Sequence, residues 1–174
     1  HRELVSVSAD DDLFRNKLSG PIYAENFGVT HFVLCSLAEQ AMTKENWVDL
    51  WKVANKLHVW TVEHVFPQGD TIPDSWVDMV AQGDRERAKL IQQRYVHTLG
   101  NLTITRFNST LGNRSFIDKR DRTDNQGRPV GYKNKISLNE DLAQVEEWSV
   151  EQIEARTQKL VGQAMELFCL DKTG

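Results

Sequence analysis

Apolar positions follow a helical period at both ends of the chain and a shorter, β-like period near its centre. Phe32, Leu34, Cys35, Leu37, Ala38 and Ala41 form a broad apolar stripe that predicts a helix up to Met42, with Thr30 as its N-cap. Before it, Leu13, Phe14 and Leu18 support one or two helical turns, closed by the turn formers Ser19-Gly20-Pro21. Trp47, Leu50, Trp51 and Ala54 stand at i, i+3, i+4 and i+7 and predict another helix over 45–56. The texture then changes. His58-Val59-Trp60-Thr61-Val62 is β-branched and aromatic, a strand signal that runs into Glu63-His64 and ends at Pro67 and Gly69.

A short helix is predicted from Pro73 to Val80, with Trp76, Val77 and Val80 inward. Asp84 caps the next, whose Ala88, Leu90, Ile91 and Tyr95 face the core until Gly100 stops it. Asn101 to Thr105 reads as a second strand, and 108–120 as a helical segment anchored by Leu111 and Phe116 despite Gly112. Gly127, Pro129 and Gly131 mark 121–135 as loop. A closing helix runs from Ser149 to Leu170, opened by the capping box Ser149–Gln152 and carrying Ile153, Leu160, Val161, Ala164, Leu167 and Phe168 inward. The fold class predicted is α+β and α-rich: helical parts at 1–57 and 136–174 around a two-strand insert between 58 and 105.

Composition narrows the function classes. The 174 residues suit one domain, and 40% apolar with 26% charged residues excludes wholesale disorder. A net charge of −4 excludes a globally basic nucleic-acid binder, though not a basic face. No apolar run is long enough to span a bilayer, and His1 to Val7 carry no signal-peptide pattern, so no membrane partner and a cytoplasmic location are expected. Cys35 and Cys169 sit in apolar runs and read as buried thiols that need no disulfide; without a C-x-x-C pair, a cysteine-built zinc site is excluded. The tryptophans 47, 51, 60, 76 and 148 read as core anchors, and His1, His31, His58 and His97 as surface or core residues.

The chemistry lies at the strand end. A histidine there rides on a rigid platform, and a neutral imidazole suits proton abstraction from water. Oxygen donors such as Glu63 and the amide of Asn108 suit Mg²⁺, which keeps most of its waters and binds substrate phosphate. Neighbours in a regular strand point to opposite faces, so Glu63 and His64 share one site only if the backbone turns there, a turn that Pro67 favours.

Val62-Glu63-His64-Val65-Phe66-Pro67-Gln68, then Leu99-Gly100-Asn101-Leu102-Thr103-Ile104, then the stretch from Asn108 through Asn113 to Lys119, resemble the C-terminal domain of GmrSD-type restriction endonucleases. The resemblance implies an HNH, or His-Me finger (ββα-metal), core over about 58–120: a two-stranded hairpin and a helix embedded in a helical domain, with one divalent cation, Mg²⁺ or Mn²⁺. It implies a single nuclease domain over 1–174, in a chain that starts without Met and so fits the C-terminal piece of a longer protein. The activity implied is metal-dependent endonuclease or nickase cleavage of DNA within a restriction or anti-phage system, behind an N-terminal nucleotide-binding, DNA-sensing domain, the SspE type included. Residue by residue, it makes His64 the general base, Asn101 the residue that pins the loop and orients the His64 backbone, Glu63 the acidic metal ligand, and Asn108, or its rival Asn113, the last ligand. A catalytically inactive DNA-binding module and an RNA-cleaving effector are the alternative readings.

From Arg106 to Lys135 the chain holds eight basic residues against three acidic ones. Beside the catalytic segment, this stretch is expected to contact phosphates through Arg106, Arg114, Lys119, Arg120, Arg128 and Lys133, with weak sequence preference.

Overall fold

The computed structural model describes residues 2–168, with side chains from residue 11 onward. It is helix-rich with two small antiparallel strand pairs, an α+β arrangement. Helix α1 (Arg2–Ser19) is far longer than the one or two turns its pattern supports. It lies along the last helix, where Leu18 is fully buried and Phe14 meets Phe168 edge-on at 6.3 Å, so tertiary packing supplies what local periodicity lacks. After the four-residue α2 (Ile22–Glu25), α3 (Phe27–Gln40) starts one turn before Thr30. Asn26 is its N-cap, accepting from the Val29 N–H at 3.0 Å, and Thr30 bonds back to the Asn26 carbonyl instead.

The helix expected over 45–56 does not form. The chain makes a tiny hairpin there, β1 (Val53–Ala54) against β2 (Leu57–His58), around Asn55 and Lys56 at φ 51° and 65°. Two consecutive left-handed residues give a two-residue hairpin turn, which asparagine tolerates well. Leu50 is buried and Trp51 donates from Nε1 to Glu39, whereas Trp47 is 59% exposed and anchors no core.

Strands β3 (Thr61–His64) and β4 (Leu102–Thr105) pair antiparallel with Thr61 opposite Thr105 and His64 opposite Leu102. Between them lie α4 (Asp74–Ala81) and α5 (Arg85–Tyr95), the latter capped by Asp84, and then a 3₁₀ turn at Leu99–Asn101. Leu90, expected inward, faces solvent, and Ala88 takes the buried side of α5. The segment expected as one helix over 108–120 is broken at Gly112, φ 38°, into α6 (Asn108–Leu111) and α7 (Phe116–Arg120), with Ser115 capping the second. A second 3₁₀ turn (Ser137–Asn139), α8 (Glu140–Gln144) and α9 (Val150–Phe168) close the chain. At the start of α9, Ser149 and Gln152 bond each other's backbone N–H reciprocally. Cys169 and Leu170 lie outside the described residues; Cys35 is a free, buried thiol. No described helix is long and apolar enough to cross a membrane.

The core is double. Val62, Leu102 and Ile104 join α3 and α9 in one apolar cluster, while Val65 and Phe66 join α4, Phe116, Tyr132 and Trp148 in the other. His64 sits where the chain passes from the first cluster to the second.

Candidate active site

The β3–β4 ladder is regular through Glu63 and His64, paired with Thr103 and Leu102. The backbone therefore does not turn between them, and their side chains serve opposite faces. The Glu63 carboxylate meets Lys119 of α7; the His64 ring meets Tyr23 of α2 and His97, which follows α5.

The backbone just after His64 is clamped from both sides. Val65 N–H donates to the Asn101 carbonyl at 2.9 Å, and Phe66 N–H to Asn101 Oδ1 at 2.8 Å. Asn101 Nδ2 returns bonds to the Phe66 and Val96 carbonyls, both 3.0 Å, and Trp148 Nε1 donates to Oδ1 at 3.3 Å. Asn101 itself is held by its turn. Arg156 of α9, fully buried, donates to the carbonyls of Gly100, Leu102 and Leu138 at 2.7 Å each. Burial brings its guanidinium down to about 10. Gly100 is needed there because a Cβ would lie 2.1 Å from the Ile153 carbonyl oxygen of α9.

On the other side, Lys119 Nζ donates to the carbonyls of His64 at 2.7 Å and Val65 at 3.0 Å, and to Glu63 Oε1 at 2.7 Å. Neither charged side chain of this pair is more than 3% exposed. Burial pushes the Glu63 carboxyl up and the Lys119 ammonium down, each opposed by the partner's charge.

His64 is 5% exposed. Its Nε2 lies 3.1 Å from His97 Nδ1, with Tyr23 edge-on at 4.5 Å between ring centroids. Burial first, then the charges of His97 and Lys119, bring its pKa down to about 3, so the imidazole is neutral at physiological pH.

Of the three oxygen donors named for a divalent cation, Glu63 does not fit one. Glu63 is neutralised by an ammonium at 2.7 Å, and a dication beside it would be repelled. Asn108 turns its Nδ2 to the Val62 carbonyl at 2.8 Å and so braces β3. Asn113 lies against Gly69, in the loop after Pro67. Among the described residues no three His, Cys, Asp or Glu side chains converge on a cation position.

The basic stretch is also less open than its composition suggests. Lys119, expected on the DNA face, is fully buried in the strut just described. Arg120, 6% exposed, is bound to Asp121, Glu146 and the Val145 carbonyl. The two depart from the expected DNA face for separate reasons: Lys119 is drawn onto β3 and its exit, and Arg120 onto Asp121 and the 145–146 segment. Arg128 and Lys133 are exposed but paired with Asp124 and Asp121. Arg106, over the Trp60 ring at 5.9 Å, and Arg114 are exposed without a carboxylate partner among the described residues.

Sequence reasoning passed over His97, Tyr23 and Arg156. The available signal was a histidine two residues before the Leu99-Gly100-Asn101 turn; nothing local marks Tyr23 or Arg156, which reach the site from the two ends of the chain.

No curated protein and no solved structure is significantly similar to this chain. The family model of the C-terminal domain of GmrSD restriction endonucleases matches residues 7–163, which takes in the hairpin, the Asn101 turn, α6, α7 and most of α9. The chain thus belongs to the GmrSD restriction endonuclease C-terminal domain family.

Proposed function

We propose that the chain hydrolyses phosphodiester bonds in DNA as an HNH-type, His-Me finger nuclease in which β3, β4 and the following helices form the ββα core and His64 is the general base. The observation that carries the reading is a histidine at the end of a hairpin strand whose following carbonyls and N–H groups are fixed by Asn101 and Lys119. Such fixation holds a base within reach of a bound water without reorganisation. The imidazole takes a proton from water, the oxygen attacks phosphorus, and the P–O3′ bond breaks with its electron pair leaving on the 3′ oxygen, which solvent protonates. No step is assigned to a cation, because the Glu63 carboxylate is committed to the Lys119 ammonium. Membership of a restriction endonuclease family supports DNA as the substrate; the trigger is assigned to a DNA-sensing partner domain.

Incubation of the chain with supercoiled plasmid in Mg²⁺, in Mn²⁺ and in EDTA tests the reading. Relaxed or linear product supports it, and the EDTA arm decides the metal requirement. Binding without cleavage under all three conditions replaces it with an inactive DNA-binding module, and cleavage of structured RNA but not plasmid replaces it with an RNA effector.

A further inference from the structure

The strongest unassigned feature is the histidine pair beside the hairpin. His64 Nε2 and His97 Nδ1 are 3.1 Å apart, their rings crossing at 78° with centroids 5.2 Å apart. His97 is fixed by its own backbone: its carbonyl accepts from the Tyr23 N–H at 3.3 Å, and the Tyr23 ring stacks on it at 5.4 Å. One ring must donate and the other accept, and the direction decides what His64 can do. If His97 donated, the His64 proton would sit on Nδ1, leaving no lone pair there for a water. If His64 donates from Nε2, its Nδ1 lone pair is free. Among the described residues Nδ1 has no hydrogen-bond partner, and it is not one of their fully buried unbonded side-chain atoms, so it keeps contact with solvent.

We propose that His97 is the positioning residue of the site: its Nδ1 accepts from His64 Nε2–H and thereby fixes the tautomer in which His64 presents a bare Nδ1 to the attacking water. This deepens the nuclease reading and rests on it for its consequence. The balance is simple. The water proton goes to His64 Nδ1, its hydroxide forms the new P–O bond, and the 3′ oxygen leaves with the electrons of the broken one. The imidazolium so formed still donates from Nε2 to His97 Nδ1. The proton returns to solvent from Nδ1 itself, which leaves the Nε2–H···Nδ1 bond and the tautomer as they were.

Two readouts test it. In the ¹⁵N-labelled wild-type chain near pH 7.5, ring-nitrogen shifts and the Nε2–H···Nδ1 coupling should place the His64 proton on Nε2; a proton on Nδ1 overturns the proposal whether or not the chain cleaves DNA. In plasmid nicking, His97→Leu should lower kcat on the order of 10²-fold with KM little changed, as expected when a base is held in the wrong tautomer. In the same variant the His64 signals should shift toward Nδ1–H. His97→Asn, whose Oδ1 takes the place of Nδ1 as acceptor, should recover most of the loss. A slowed His97→Leu whose His64 tautomer is unchanged, or no recovery in His97→Asn, makes His97 merely structural and overturns the proposal. If the wild-type chain cuts nothing, the nuclease reading fails, while the tautomer measurement still decides, by itself, which ring of the pair donates.

Discussion

Lys119 reaches from α7 to set its ammonium 2.7 Å from the Glu63 carboxylate, with both side chains buried. The same Nζ holds the carbonyls of His64 and Val65, so all three of its donors are committed to β3 and its exit. Two residues expected to meet a cation and a DNA strand instead meet each other, and Lys119 fixes the backbone that carries His64.

Removing one partner leaves the other charge buried and unpaired. Glu63→Ala or Lys119→Ala should each lower unfolding free energy by about 3–5 kcal/mol. Glu63→Leu with Lys119→Met should cost clearly less than the sum of the single changes, as read in urea unfolding. Single losses below about 1 kcal/mol would show that the pair is dispensable.

His64→Ala should reduce plasmid nicking by about 10² to 10⁴-fold with the far-ultraviolet CD spectrum unchanged. Retention of more than about a tenth of wild-type nicking would exclude His64 as the base.

Acid should destabilise the fold before carboxylates titrate. The His64 pKa is about 3 in the folded chain against 6.5 for the ordinary group, so between those values the unfolded chain binds more protons. Stability is then full above pH 6.5 and is lost as pH falls toward 3, with about 1.4 kcal/mol gone between pH 7.5 and 5.5. His31 and His97, also lowered by burial, act in the same direction. Thermal melts across that range should show the decline, and His64→Leu should flatten it; an equally steep decline in the variant would assign the effect elsewhere.

Phosphate contact should rest on the exposed cations that carry no carboxylate partner. With the His64→Ala chain and duplex DNA, Arg106→Ala and Arg114→Ala should each reduce the slope of log affinity against log salt by roughly 0.9. Arg128→Ala and Lys133→Ala should change it less, since Asp124 and Asp121 already neutralise those groups. The loss should be equal on unrelated sequences, because phosphate contacts carry no base information. Unchanged slopes for the two arginines would place DNA on another face.

Elements whose cause is local were legible in the sequence. Asp84 and the Ser149–Gln152 box mark helix starts because the capping side chains sit within three residues of the N–H groups they satisfy. The two strands and the place of His64 at the end of the first follow from β-branched runs, the first ended by Pro67 and the second opening after Gly100. Where spacing alone was the guide it misled. The 45–56 pattern satisfies a helix, yet Asn55 and Lys56 turn the chain back, because Leu50 and Trp51 find their partners on α3 separately.

The environment of the site was decided by tertiary structure alone. Adjacent residues Glu63 and His64 are sent to opposite faces by an unbroken ladder, and what each face meets comes from far away in sequence: Lys119 on one side, Tyr23 and His97 on the other. A count of charges could not tell a solvated lysine from one buried under a hairpin, since the difference lies in which distant carbonyls and carboxylate surround its ammonium. Burial and long-range pairing set protonation and reach; composition carries neither.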